Sequence, residues 1–208
     1  MGKLGWLGVL VLCAALGLHN GSRIAPTPLI DEFRLRYQAD YAAVGTAIGA
    51  YTLSYAFAQL VAGVLTDRLG SLRLIKAGVL TMAVGSAIFA VTSDLMLAVV
   101  GRFVMGIAGG LLYVPALSYM LAAFGRGQRG KAMGLAQGGI GAAIVLSVLT
   151  MPPLFLAVGL TGAYLAFPVV SVLLWVGLTL VVPDIRLEQH QAAGSAFALL
   201  RDLSLIHI

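Results

Sequence analysis

Gly63-Val64-Leu65-Thr66-Asp67-Arg68-Leu69-Gly70-Ser71-Leu72-Arg73 places one acid and two arginines around a glycine, between two long apolar runs. Three charges within seven residues are too costly to leave in hydrocarbon, so this stretch marks a break at a water interface. The run before it, 41–65, and the run after it, 74–92, each approach or exceed the ~20 residues of helix that cross a bilayer. Working outward, the same test picks out spans near 4–30, 95–122, 132–158 and 162–182. The breaks between them are Asp31 to Asp40, Ser93-Asp94, Arg126 to Lys131, and Gly159 to Gly162. Very short breaks imply antiparallel neighbours.

The composition agrees. The chain is 60% apolar and 10% charged, against about 25% charged in soluble domains, and its mean hydropathy is +0.99. Its 26 glycines fall largely inside apolar runs, where small residues let helices meet backbone to backbone. The fold class is therefore all-α membrane protein, with six transmembrane helices.

A net charge of +5 is explained by topology rather than by a nucleic-acid partner, because the basic residues form short clusters between spans and no continuous stripe. Lys3, Arg68, Arg73, Lys76, Arg126, Arg129, Lys131, Arg186 and Arg201 collect on one side. Arg34 and Arg36 lie on the other, diluted by Asp31, Glu32, Asp40 and Asp94. Positive charge marks the cytoplasmic face, so both ends are expected there, in a cell inner or plasma membrane. Met1-Gly2-Lys3 before an apolar run has the outline of a secretory signal, but no small-x-small cleavage site closes it. Cys13 is the single cysteine, which excludes a disulfide within the chain and a cysteine metal site.

Gly63 to Arg73 resembles the signature of the major facilitator superfamily between helices two and three, Gly-x-Leu-x-Asp-Arg-x-Gly followed by basic residues. Here Ser71 and Leu72 stand where the usual basic pair would be, and Arg73 follows late. Arg102-Phe103-Val104-Met105-Gly106 is similar to that family's Arg-x-x-x-Gly motif of helix four. Arg126-Gly127-Gln128-Arg129-Gly130-Lys131 is similar to its basic turn before helix five. The resemblance implies that 1–182 is one six-helix half of a twelve-helix transporter, built from two inverted three-helix repeats and lacking its C-terminal partner half, with substrate bound midway between the halves. It also implies that Gly63, Asp67, Arg68, Gly70 and Arg73 form a conformational-switch loop. Residues 183–202 read as a cytoplasmic linker, and 203–208 resemble translated sequencing-adapter read-through rather than native chain.

Charged groups inside spans default to functional hypotheses, and there are two, Arg23 and Arg102. At 1.5 Å per residue each lies about 10 Å inside the outer end of its span, so the depths match. Two guanidiniums at one depth would suit a carboxylate, phosphate or other oxyanion. The alternatives are that Arg102 bonds helix-end carbonyls and that Arg23 snorkels outward. Asn20 and His19 precede Arg23, His19 by one helical turn. His19 is a proton-coupling candidate or a polar spacer. Tyr51, Tyr55 and Gln59 recur every four residues along span two, and Tyr113 shares a face with Arg102; they line a substrate path or pack. Gly134, Gly138, Gly139 and Gly141 predict a tight helix contact in span five, and Pro26 and Pro28 a bend beside Arg23.

No Asp or Glu falls inside a span, and Ile140 follows the span-five glycine pair where antiporters of the resembled family carry proline. Both features disfavour a drug and proton antiporter relative to a secondary transporter of a small organic or inorganic anion. An intramembrane enzyme needs a nucleophile with a base in reach, a zinc motif or a phosphate loop. None is legible, so no catalytic residue, metal site or cofactor is expected.

Overall fold

The computed structural model describes residues 5–124 and 126–185. Lys3, the side chain of Arg126, Arg186, Arg201, the linker beyond 185 and the 203–208 segment lie outside the described residues. The helices are α1 Trp6–Ile24, α2 Ile30–Tyr37, α3 Tyr41–Leu69, α4 Ser71–Val91, α5 Leu95–Phe124 and α6 Arg129–Val181.

Among the described residues, five helical stretches are long and apolar enough to cross a membrane, α1 running on through α2 in this count. The last has 53 residues, about 80 Å at 1.5 Å per residue and far more than a ~30 Å hydrocarbon core. Gly159 divides it. With φ 72 and ψ 174, that residue occupies a region essentially closed to side chains other than hydrogen, and it turns 129–158 back into 160–181. The expected break at Gly159 to Gly162 is thus a one-residue reversal, and the described residues make six crossings.

Two other boundaries differ from expectation. Span one stops at Ile24, because Pro26 and Pro28 cannot donate to the preceding turn. A 3-10 turn, Thr27–Leu29, leads into α2 in what reads in sequence as a charged loop. The Arg36 guanidinium pins α2 to the end of α4 by donating to the Ala90 carbonyl at 3.0 Å. Span three begins at Ser71, directly after Gly70 turns the chain with φ 87. Asp40 and Asp94 start α3 and α5 by accepting from Ala43 N and Leu97 N, each at 2.8 Å.

α5 lies between α3 and α4, while α6 lies against α1 and α4. Glycine sets the spacing on both faces of α5. A Cβ on Gly85 would sit 2.8 Å from Met105 N, and one on Gly78 2.9 Å from the Ala108 carbonyl. On the opposite face, Gly106 and Gly110 meet α3 even more closely. In span five the expectation holds only for Gly139, which touches Cys13; Gly134, Gly138 and Gly141 have no neighbour within 4 Å of a Cβ among the described residues.

Candidate functional site

α1 carries its polar residues into the middle of the bundle. His19 is fully buried and Asn20 nearly so, while Arg23 is half-buried. The Tyr51 hydroxyl of α3 donates to the His19 carbonyl at 2.9 Å and lies 2.6 Å from His19 Nδ1. With the hydroxyl proton on the carbonyl, Nδ1 carries the ring proton toward Tyr51, and Nε2 is the lone-pair nitrogen. That Nε2 is buried and has no partner among the described residues.

The imidazole is enclosed by aromatic rings, with Tyr55 at 4.7 Å and Tyr113 at 6.1 Å between centroids. Gly109 makes the room, since a Cβ there would fall 2.3 Å from the ring. Gln59 Nε2 donates to the Tyr55 hydroxyl at 2.8 Å. One polar, aromatic layer thus joins α1, α3 and α5. Tyr55, Gln59 and Tyr113 are partly exposed at its edge, and Tyr51 is core.

Arg102 lies at the level of Arg23, but its guanidinium is spent. Nη1 donates to the Ser22 carbonyl at 2.9 Å and Nη2 to the Arg23 carbonyl at 3.0 Å. Its Cζ lies 4.5 Å from the Tyr51 ring centre and 5.4 Å from that of Phe89, within cation-π range. The cause is in the sequence of α1. In an uninterrupted helix the N–H of residue 26 would satisfy the carbonyl of residue 22, and Pro26 has none. Arg102 supplies the missing donor from α5. Being fully buried, it does not reach the open face with Arg23, and the pairing of the two guanidiniums on one ligand is replaced by a bond from one arginine to the backbone of the other. The Asn20 amide turns back onto its own helix, donating to the Leu16 carbonyl at 3.1 Å.

Arg23 itself has no side-chain hydrogen bond or ion pair among the described residues, and its Nε is buried without a partner. The loop expected from the sequence to act as a switch lies apart from this layer, at the α3–α4 turn, with Asp67, Arg68, Gly70 and Arg73 exposed and Gly63 half-buried. Asp67 forms no ion pair among the described residues.

Sequence reasoning missed the aromatic cluster above Arg102. Phe33 of α2 lies 5.1 Å from Phe89 and 5.2 Å from Tyr164 of α6. It missed Ser147 too, whose Oγ donates to the Gly21 carbonyl at 2.9 Å. The spacing of Pro26 from Ser22 was the available signal for an orphan carbonyl; nothing in the sequence named its partner.

The described residues form six apolar crossings around a buried polar layer with a cation at its edge, the architecture of a multi-pass membrane protein. The comparisons specify which kind. Residues 6–206 match the profile of the Major Facilitator Superfamily, and the chain belongs to that family. It is similar to a protein of Oryza sativa named probable anion transporter 2, chloroplastic, with 23% identity over 76% of this chain and 30% of that protein. It is also similar to triacylglyceride transporters of Mycolicibacterium smegmatis, with 39% identity over 50% of this chain and 18% of that protein, and of Mycobacteroides abscessus, with 34% identity over 68% and 26%. The matched region thus spans under a third of each of these relatives.

Proposed function

We propose that this chain is the six-helix half of a secondary active transporter that moves a small organic or inorganic anion by alternating access. The free guanidinium of Arg23 carries the reading. A cation set about 10 Å inside the outer end of the bundle, with no acid paired to it among the described residues, is a standing attraction for a negative substrate group. Asn20, Tyr55, Gln59 and Tyr113 line the same side as hydrogen-bonding neighbours, and Arg102 holds the end of α1 in place. The rice relative's name, probable anion transporter, supports the reading. A second six-helix half covers the cavity face, the Asp67–Arg73 loop latches against it, and the basic end faces the cytoplasm.

The test is uptake of labelled inorganic phosphate and small carboxylates into proteoliposomes carrying this half together with its second half. Arg23→Lys keeps the charge but not the planar fork, and is expected to raise KM roughly tenfold with less effect on kcat. Normal transport by Arg23→Lys at low substrate concentration would sink the clamp. His19, with its lone-pair Nε2, is the coupling-proton candidate. Replacing it with Gln is expected to flatten the dependence of uptake on an imposed pH gradient, and an unchanged gradient response removes it from the mechanism.

Efflux of amphipaths coupled to protons is the second reading. The mycobacterial relatives named triacylglyceride transporters support the lipid-like substrate of that reading, and transport of uncharged amphipaths with Arg23→Gln unimpaired would select it.

A further inference from the structure

Among the described residues, three turns close the end of the bundle remote from Asp67 to Arg73. Two of them are charged: Asp31, Glu32, Arg34, Arg36 and Asp40 lie between α1 and α3, and Asp94 lies between α4 and α5. The third, the reversal of α6 at Gly159, has no charge. Met151-Pro152-Pro153-Leu154-Phe155-Leu156-Ala157-Val158-Gly159-Leu160 holds no polar side chain, and Thr150, just before it, turns its hydroxyl back to donate to the Leu146 carbonyl at 2.7 Å.

The depth of this apolar reversal follows from its neighbours. Tyr164 comes about 7.5 Å after Gly159 along the helix, and its ring lies 5.3 Å from that of Phe89, near the end of α4 at Val91. The reversal is therefore within about one helical turn of the level where Arg36 reaches the Ala90 carbonyl. From there 160–181 runs about 33 Å, with Asp184 just beyond its far end, so Gly159 sits where a ~30 Å hydrocarbon core gives way to headgroups. Bare backbone groups are costly in contact with lipid, and only Gly159 leaves helical φ/ψ. The hairpin also closes on itself, since a Cβ on Gly162 would fall 2.8 Å from Val158 Cγ2.

Leu154 and Phe155 pack against the buried cluster that contains Phe33, Phe89 and Tyr164. Leu156 and Val158 do not, and they are 82% and 55% exposed. The arm that follows, 160–181, presents Val169, Leu173 and Leu180 as exposed side chains and carries no charged residue. The hairpin is thus continuous with a wall that has the length and composition to meet acyl chains throughout. We propose that it is a lipid anchor. Leu156 and Val158 insert among the acyl chains just below the headgroups of the leaflet at that end, while the two charged turns stand in water. A protein surface that recognises its partner by charge or hydrogen bonds would find none on these side chains. The proposal requires only that the chain is embedded in a membrane, so it is independent of the transported solute.

Fluorescence quenching of the 208-residue chain in phosphatidylcholine vesicles tests it. Cys13 is replaced by serine, and a bimane probe is attached in detergent to Leu156→Cys or, as the control, to Ser93→Cys in the α4–α5 turn. Both positions are exposed, so neither substitution touches the core, and circular dichroism melting checks that the labelled chains are folded. After reconstitution, quenching of the Leu156 probe by aqueous iodide is expected to be roughly fivefold weaker than that of the Ser93 probe, because a small anion is excluded from hydrocarbon. Lipids brominated near the start of their acyl chains are expected to quench the Leu156 probe and to leave the Ser93 probe bright. Equal iodide quenching at the two positions would place the hairpin in water and overturn the anchor. A Leu156 probe reached by neither quencher would mean that protein covers it, from a second half or a second copy, and would overturn lipid as the occupant.

Discussion

Gly106→Ala is expected to be the most damaging one-methyl change in this chain. A Cβ at that position would lie 1.9 Å from Ser54 Oγ and 2.2 Å from the Tyr51 carbonyl oxygen. The serine can rotate away, although its one hydroxyl proton is now within reach of the Ala50 and Tyr51 carbonyls. The Tyr51 carbonyl cannot, because it is part of the α3 backbone. α3 must therefore move off α5, and Tyr51 moves with it, away from His19. Overpacking of this kind costs about 1–3 kcal/mol, with the upper end expected where backbone meets backbone. In detergent, the thermal midpoint of helix loss should fall by several degrees and the gel-filtration peak should broaden. Gly134→Ala is the matched control, because nothing lies within 4 Å of its Cβ. It should be neutral or slightly stabilising, in line with the better helix propensity of alanine. A Gly106→Ala chain that melts with the wild type would show that the α3–α5 spacing is not set by glycine.

The second large effect is expected from Arg102→Met. Methionine keeps an unbranched apolar stem of similar volume but stops short of the guanidinium and provides no donor, leaving the buried Ser22 carbonyl and the part-buried Arg23 carbonyl unpaired. An unsatisfied buried acceptor costs about 1–3 kcal/mol. The origin of the effect is testable by restoring the backbone donor. Pro26→Ala gives residue 26 an N–H that can reach Ser22, so it should recover part of the stability lost in Arg102→Met. A double-mutant cycle of thermal midpoints measures this coupling. Additive losses would mean that Arg102 holds the site by packing alone.

Hydropathy disclosed the crossings because a bilayer imposes a minimum run of apolar residues, and the acids at 40 and 94 disclosed helix starts because they cap them. Gly70 and Gly159 could be read as turns. What hydropathy cannot contain is azimuth. In lipid, the outward face of a helix is as apolar as the inward one, so glycines on α6 that face open space looked the same as glycines on α5 that touch backbone. The site was legible to a similar extent. Ionisable residues stand out inside a span, so Arg23, Arg102 and His19 were found. Their division into one free and one committed guanidinium was not, because it depends on which carbonyls of α1 lie opposite α5. The aromatic packing of Phe33, Phe89 and Tyr164 joins three distant segments and leaves no local pattern.

The bond between Arg102 and the end of α1 also orders events in time. Its two ends are 80 residues apart in the chain. At about 5–20 residues per second, roughly 4–16 s pass between synthesis of Ser22 and of Arg102. The other firm neighbour of α1, Ser147, arrives later still. During that interval α1 has emerged from the ribosome with an arginine, a histidine and two orphan carbonyls but no helix to receive them. Such a segment is poorly suited to release into lipid on its own. It is expected to stay beside the insertion machinery until α5 follows, which makes a helix synthesised before α5 one that is settled only after it.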